Sequence, residues 1–236
     1  MFAGIGGFDL GLERAGHACA WQCEIDPHAR AILNKHWPEV PCYGDIRSIQ
    51  WADVEPVDLI CGGYPCQPFS HAGARAGKSD PRHLWPEVAR CLRHLRPRFV
   101  LLENVAGHLS LGFGDVLGDL AALGFDAWWD CIPAAALGAP HLRDRVFVVA
   151  WRSAAHADDA GQPARPQHDE TPGMPSAGQA AACDAWERGP VVPVVRRVDD
   201  GLPARLDVQR LQGLGNAIVP QIAELLGGVL AELERA

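Results

Sequence analysis

The chain has 236 residues, of which 48% are hydrophobic and 21% charged, so it can bury a substantial core and is not a disordered chain. Its formal net charge of -8 argues against a histone-like protein held on nucleic acid by bulk charge, but it leaves room for an enzyme with a local basic cleft. No uncharged apolar run approaches the roughly 18 residues of a membrane span, and no basic start leads into an apolar stretch. We therefore expect a soluble, cytoplasmic protein without a signal peptide.

Short apolar runs alternate with helical patterns along the first 151 residues. The predicted strands are Ala18–Cys23, Val57–Cys61, Phe99–Leu102 and Val146–Trp151. Three helices are predicted. The first begins at the Asp26-Pro27 cap and ends near His36, and the other two are Leu84–Leu95 and Val116–Leu123. Apolar strands separated by helices predict an α/β fold with a mostly parallel, doubly wound sheet.

The composition changes after Trp151. Residues 153–190 carry two arginines against six acidic residues and are rich in Ala, Gly, Pro and Gln, which predicts a loop or poorly ordered insert rather than a second core. The chain then becomes helical again, and its last apolar residues keep helical spacing on one face: Ile222, Leu225, Leu226, Val229, Leu230 and Leu233.

A glycine-rich turn that feeds a helix lies at Phe2–Gly11, where backbone amides can approach a ligand closely. Asp9 stands where the dinucleotide fingerprint requires glycine. Glu24 ends the next strand, where a carboxylate can accept both hydroxyls of a ribose. The pair indicates a nucleoside cofactor without a pyrophosphate; the alternative is a tight turn and a surface acid.

Cys66 follows the second predicted strand, on a loop stiffened by Pro65 and Pro68. Open parallel sheets bind ligands at that edge. The eight cysteines form no C-x-x-C pair, so we expect neither a disulfide framework nor a zinc site, and most should be reduced core thiols. Cys66 is the exception, because a cysteine between two prolines has no helix or strand face to pack.

Polar residues also mark three later elements. Glu103 ends an apolar strand, although an acid there often only caps the following helix. Arg143 and Arg145 precede the last strand, and their alternative is a solvated pair. The turn at Gly215-Asn216 precedes the last helix and alone would be merely a helix start.

Together and in this order, these segments resemble motifs of the DNA (cytosine-5) methyltransferases, over residues 2–151 and 191–231. Phe2–Gly11 is similar to the family's first methyl-donor motif and Pro65-Cys66-Gln67 to its catalytic loop. Glu103-Asn104-Val105, Arg143-Asp144-Arg145 and Gly215-Asn216 resemble its ENV, R-x-R and GN motifs.

The resemblance implies the Rossmann-like fold of S-adenosylmethionine-dependent methyltransferases. It implies a catalytic and donor-binding domain at 1–152, a short acidic insert at 153–190 in place of a target-recognition region, and a C-terminal segment at 191–236 whose helix returns to the catalytic domain.

The resemblance also implies a reaction without a metal ion, in which a methyl group passes from S-adenosylmethionine to C5 of a flipped-out cytosine in DNA. Cys66 would add to C6, Glu103 would hold N3 and the exocyclic amine, and Arg145 with Arg143 would hold O2 and the catalytic loop. Gln67, Ser70 and Arg143 would contact the DNA.

In the implied donor site, Glu24 takes the ribose hydroxyls, Ile25 covers the adenine and Asp45 accepts from its amino group. The full implied set is Phe2, Gly4, Gly6, Gly7, Glu24, Ile25, Asp45, Ile46, Pro65, Leu84, Asn216 and Ala217.

Two departures from the family pattern bear on this reading. The family's first strand normally precedes the Phe-Ala-Gly turn, whereas here Met1-Phe2 opens the chain, and we expect an incomplete start. The acidic insert is also a poor candidate for base readout. We expect a monomer that acts on double-stranded DNA beside a cognate restriction endonuclease or in phage self-protection. The alternatives are an idle remnant that binds donor or DNA without turnover, and methylation of transfer RNA.

Overall fold

The structure, a computed structural model, describes residues 1–65, 84–110, 112–152 and 213–235. Its helices are α1 (Gly7–Arg14), α2 (Pro27–His36), α3 (Trp85–Leu95), α4 (Phe113–Ala122) and α5 (Pro220–Arg235). Its strands are β1 (Gln22–Cys23), β2 (Cys42–Tyr43), β3 (Leu59–Gly62), β4 (Phe99–Val105), β5 (Phe125–Pro133) and β6 (Asp144–Arg152).

The strands form a two-stranded sheet, β1-β2, and a four-stranded sheet of order β3-β4-β6-β5. β1 and β2 pair in parallel, as do β3 and β4, with Gly62 opposite Leu102. β6 instead runs antiparallel to β4, with Val105 opposite Arg145, so the larger sheet is mixed. The ends of β3 and β4 and the start of β6 consequently lie at one edge of this sheet.

The chain divides into two compact units. The sheet unit contains Met1, the described residues within Arg47–Ile132 and the strand that begins at Asp144. The glycine-turn unit contains Phe2–Ile46, Pro133–Arg143 and the described residues from 213 onward.

The core of the sheet unit follows from uninterrupted apolar strands. Residues 99–102 of β4 and 146–150 of β6 are all buried, as expected for strands covered on both faces. The predicted strands are therefore confirmed, although β4 and β6 extend beyond the predicted bounds and β1 is shorter. Met1 also belongs to this core, and its ammonium group donates to the Cys61 carbonyl at 2.7 Å.

β5 was not predicted from the sequence. Asp126, Trp129 and Asp130 are exposed along it, so the segment lacks the apolar run that marks the central strands. The prediction of α2 is confirmed with its cap, since the Asp26 carboxylate accepts from the His28 amide at 2.8 Å.

The glycine-turn unit is built on close packing of its first and last helices. A Cβ atom on Gly11 would collide with the Pro220 carbonyl oxygen, and one on Gly227 would lie 2.9 Å from a Leu12 methyl carbon. His17 Nε2 lies 3.0 Å from the Gly227 carbonyl oxygen. Glycine on both helices lets the two backbones approach, so the last helix packs directly against the first.

Among the residues that the structure describes, one helical stretch, Gly213–Leu233, has the length and the mean hydropathy (1.4) that a membrane-crossing helix needs. A buried helix of a globular protein meets the same criteria. Here Ile222, Leu226 and Leu230 are buried within the glycine-turn unit. Packing inside this unit covers the part of the apolar face that these three residues form.

Candidate active site

An ion pair occupies the edge of the sheet unit where β4 ends and β6 begins. Glu103 Oε1 lies 3.0 Å from Arg145 Nε, and Glu103 is only 9% exposed. Arg145 also donates from Nη1 to the Asp144 carbonyl at 2.8 Å. Glu103 is therefore not a helix cap, and Arg145 is not a solvated arginine. The pair forms because antiparallel pairing brings the end of β4 next to the start of β6.

The residue after Glu103 fixes the segment that follows β3. The Asn104 side-chain amide donates to the Tyr64 carbonyl at 3.0 Å, while its Oδ1 accepts from the Val105 amide at 2.9 Å. Asn104 is 4% exposed, so both polar ends of this amide are bonded inside the unit. Tyr64 precedes Pro65, and the parallel pairing of β3 with β4 puts both segments at the same sheet edge.

Tyr64 is also anchored through its side chain, which the sequence reasoning missed. Its hydroxyl lies 2.8 Å from His108 Nε2, and both residues are buried. The Tyr64 ring packs on Trp85, and the His108 ring packs edge-on against Phe113. An aromatic residue directly before the Pro-Cys-Gln segment was the available signal, but His108 lies 44 positions away in sequence.

The glycine-turn unit holds its carboxylate through the backbone. The Gly4 amide donates to Glu24 Oε2 and the Asp26 amide donates to Glu24 Oε1, each at 2.8 Å. The turn itself closes through a bond from the Gly6 amide to the Ala3 carbonyl at 2.9 Å. Each carboxylate oxygen of Glu24 thus accepts one backbone hydrogen bond and can accept another from a hydroxyl group.

The glycines of the turn have different roles. A Cβ on Gly6 would meet the Trp37 ring, and one on Gly7 would collide with the Ile218 carbonyl oxygen. A Cβ on Gly4 would meet nothing within 4 Å, although Gly4 has φ +56°. Space is thus open above the Gly4 backbone, beside Glu24. Ile25, the residue predicted to cover an adenine, is 62% exposed.

Arg143 lies in the glycine-turn unit and bonds the turn that carries Asn216. Its Nη1 donates to the Gly215 carbonyl at 2.7 Å and its Nη2 to the Ala217 carbonyl at 2.6 Å. Arg143 has a positive φ of 34°, which is uncommon for a residue with a side chain. The structure thus gives Arg143 and Arg145 different partners. The predicted role of Arg143 on the cytosine and the DNA stays a prediction.

The other predicted donor-site residues divide between the units. Phe2, Asp45 and Ile46 lie in the glycine-turn unit, and Ile46 is buried. Pro65 and Leu84 lie in the sheet unit, where Pro65 is exposed and Leu84 precedes α3. Cys66, Gln67 and Ser70 lie outside the described residues, as do residues 153–212.

Asp9, which breaks the dinucleotide fingerprint, has a structural role. It is 9% exposed in the first turn of α1 and accepts from Gln22 Nε2 at 2.8 Å and from Cys19 Sγ at 3.3 Å. A carboxylate in the first helical turn also interacts favourably with the helix dipole. Asp9 therefore ties α1 to β1.

The described cysteines are reduced thiols: Cys19, Cys23, Cys42, Cys61, Cys91 and Cys131. Burial raises the pKa of Cys23 to about 11, and its thiol donates to the Gly44 carbonyl at 3.2 Å. Burial also raises the pKa of Cys42 and of Cys131. These three thiols stay protonated near neutral pH and are poor nucleophiles.

Comparison with known proteins assigns most of the chain to a family. The family described as C-5 cytosine-specific DNA methylase matches residues 1–180. The Type II methyltransferase M.NgoMIV of Neisseria gonorrhoeae is 39% identical over 156 residues, covering 64% of this chain and 50% of its own length. M.BsuFI of Bacillus subtilis, also a Type II methyltransferase, is 35% identical over 156 residues, covering 64% of this chain and 38% of its own. The chain thus spans at most about half the length of these relatives.

Solved structures agree on the fold. A proposed DNA modification methyltransferase encoded within a prophage, from E. coli, matches with a TM-score of 0.55 and 28% identity, over 64% of this chain and 45% of that one. A mutant Dnmt2 of Spodoptera frugiperda matches with a TM-score of 0.54 and 22% identity, over 72% of this chain and 52% of that one. These likenesses confirm the predicted Rossmann-like methyltransferase fold. Since the family match covers most of the chain, the protein belongs to the C-5 cytosine-specific DNA methylases.

Proposed function

We propose that this protein transfers a methyl group from S-adenosylmethionine to C5 of a cytosine in double-stranded DNA. The observation that carries the proposal is the ion pair between buried Glu103 and half-buried Arg145, 3.0 Å apart, at the sheet edge from which the chain continues to Cys66. A carboxylate and a guanidinium fixed together offer an acceptor and donors to one edge of a pyrimidine, which suits the ring nitrogen, amine and carbonyl of cytosine.

The residues of the glycine-turn unit fit the methyl donor. Glu24 is oriented by two backbone amides, and the space above Gly4 is open. A nucleoside has the vicinal hydroxyls that such a carboxylate binds. In this role Glu24 holds the ribose, Ile25 covers the adenine, the glycine turn lines the methionine end, and Asn216 helps to complete the donor pocket. S-adenosylmethionine supplies the electrophilic methyl group when bound.

The chain's own residues then perform the remaining chemistry. The Cys66 thiolate adds to C6 of the flipped-out base and forms an S–C bond, which makes C5 nucleophilic. Glu103 hydrogen-bonds N3 and the exocyclic amine, and Arg145 binds O2, so both stabilise the charge that develops during addition. After C5 takes the methyl group, a base removes the C5 proton and the S–C bond breaks. These steps release 5-methylcytosine and S-adenosylhomocysteine and restore the thiolate, while the base keeps the C5 proton.

The Type II methyltransferases among the relatives support a place in restriction–modification, and the similar prophage-encoded enzyme supports phage self-protection. We propose that the protein is a cytoplasmic monomer that acts on double-stranded DNA. In a restriction–modification system, a cognate endonuclease would accompany it. Residues 153–190, with their excess of acidic groups, contribute little phosphate binding.

The test is methyl transfer itself. The purified chain is incubated with S-adenosylmethionine and unmethylated DNA of mixed sequence, and the DNA is digested and analysed for 5-methylcytosine by mass spectrometry. We expect the product with the wild type and none with Cys66→Ala. The matched control is Cys131→Ala, which removes a thiol whose raised pKa makes it a poor nucleophile and should leave transfer unchanged.

Two other outcomes would replace the proposal. Methylation of transfer RNA but not of DNA would assign the chain to the RNA branch of this chemistry. A folded wild type that binds S-adenosylhomocysteine but methylates neither nucleic acid would identify an idle remnant.

A further inference from the structure

We infer that Arg143 is a positioning residue for the methyl-donor site: it holds the Asn216 turn in place, rather than gripping the base or a DNA phosphate. This inference rests on the proposed function, because it assigns Asn216 to the donor. It separates the two arginines of the R-x-R motif by task, with Arg145 paired to Glu103 in the sheet unit and Arg143 bonded within the glycine-turn unit.

The first support is the geometry of the guanidinium. Its two terminal nitrogens donate to two different carbonyls, Gly215 at 2.7 Å and Ala217 at 2.6 Å, and these carbonyls flank Asn216. Both bonds are charge-assisted, and a planar fork with two donors fixes its acceptors more precisely than a single ammonium group can. The side chain of Arg143 therefore determines the position of the Asn216 backbone.

The second support is that the described part of the chain buries little of this turn. Residues 213–216 form a single helical turn, which closes through a bond from the Ala217 amide to the Gly213 carbonyl at 3.0 Å. Gly215 and Asn216 are exposed, and Leu214 is 66% exposed, so burial does not fix them. Carbonyls at the end of a helical turn lack helical partners, and a cation is favourable there.

The third support is the backbone of Arg143. Its φ of 34° lies in the left-handed region, where a residue with a Cβ is strained and glycine is not. An arginine at this position is explained by what its side chain does, since glycine would suit the backbone better. The two carbonyl bonds supply that explanation.

The same backbone angle allows a clean experiment. Arg143→Gly removes the side chain while tolerating the φ, so loss of the guanidinium is separated from backbone strain. Arg143→Lys keeps the charge but not the two-pronged geometry. Arg93→Ala is the matched control, because Arg93 is an exposed arginine on α3, outside the proposed site. Thermal melts followed by circular dichroism establish that each variant is folded.

The readouts are the Kd for S-adenosylhomocysteine by calorimetry, the KM for S-adenosylmethionine, kcat, and the Kd for DNA across a range of salt concentrations. We expect Arg143→Gly to weaken binding of S-adenosylhomocysteine and to raise the KM for S-adenosylmethionine by about tenfold, with a much smaller change in kcat. Arg143→Lys should restore part of the lost affinity. The salt dependence of DNA binding should equal that of Arg93→Ala.

Unchanged donor affinity in Arg143→Gly would overturn the inference, above all if the salt slope for DNA fell by about one, as loss of a phosphate contact predicts. Failure of the proposed function looks different: the wild type itself would then bind no S-adenosylhomocysteine, or would bind it and transfer no methyl group.

Discussion

The two units hold their principal carboxylates by opposite means. In the glycine-turn unit, Glu24 is oriented by the backbone amides of Gly4 and Asp26. In the sheet unit, Glu103 is oriented by a side chain, the guanidinium of Arg145 at 3.0 Å. Backbone donors are present whatever the neighbouring side chains are, whereas an ion pair at low exposure depends on both partners. The sheet unit should therefore be the more sensitive to single substitutions, and the following variants test that difference.

The largest effect is expected for Glu103→Gln. The substitution preserves shape but removes the charge that pairs with Arg145, so it removes stabilisation of the reacting base. We expect the rate of methyl transfer to fall by about a hundredfold or more, with the Kd for S-adenosylhomocysteine unchanged.

The matched control for that variant is Glu87→Gln, which breaks the 2.7 Å ion pair with Arg90 on α3 of the same unit. Its methyl transfer should stay within twofold of the wild type. Equal losses in the two variants would mean that Glu103 acts only through stability.

A smaller effect is expected for Glu24→Gln in the glycine-turn unit. Glutamine has one oxygen and one amino group, so it cannot accept from the Gly4 and Asp26 amides at once. We expect S-adenosylhomocysteine to bind about ten- to a hundredfold more weakly, measured by calorimetry.

Glu13→Gln provides the comparison within that unit. Glu13 is exposed and accepts from Trp37 Nε1 at 2.6 Å, so it is a hydrogen-bonded carboxylate without a proposed ligand. If Glu24→Gln and Glu13→Gln bound S-adenosylhomocysteine equally well, Glu24 would not be the residue that accepts hydrogen bonds from the ribose.

The smallest effect is expected for Tyr64→Phe, which removes the 2.8 Å bond to buried His108 but keeps the ring that packs on Trp85. We expect the free energy of unfolding, measured in urea, to fall by about 1 kcal/mol. Tyr43→Phe is the control, since Tyr43 is only partly buried and packs its ring edge-on against Trp21. Identical urea midpoints for wild type and Tyr64→Phe would contradict the anchoring role.

Much of the sheet and both carboxylates could be predicted from sequence, because the signals are local. Residues 99–102 form an apolar run with Glu103 directly behind it, and the glycine turn precedes Glu24 by a fixed distance. β5 could not be predicted this way, because exposed Asp126 and Asp130 interrupt its pattern. The mixed direction of the sheet also depends on which strand β6 pairs with, and no residue within β6 specifies that.

The contacts that sequence reasoning missed are long-range pairs. Arg143 bonds the Gly215 carbonyl, 72 positions away, and Tyr64 meets His108, 44 positions away. A single sequence contains no signal that pairs such residues, because either partner alone fits several roles. The resemblance placed Arg143 with Arg145 near the base, whereas the structure bonds its guanidinium to the turn around Asn216.

The packing of α1 against α5 has a consequence for biosynthesis. His17 and Gly227 are in contact across 210 positions, and Leu12 and Ala15 lie where a side chain on Gly227 would collide with them. α1 leaves the ribosome long before α5 is translated, so its apolar face stays exposed to solvent while the residues between the two helices are synthesised. The glycine-turn unit can therefore complete its fold only after α5 has been translated, and slower translation of the residues between the two helices would prolong the time in which this face is open to chaperones or to other nascent chains.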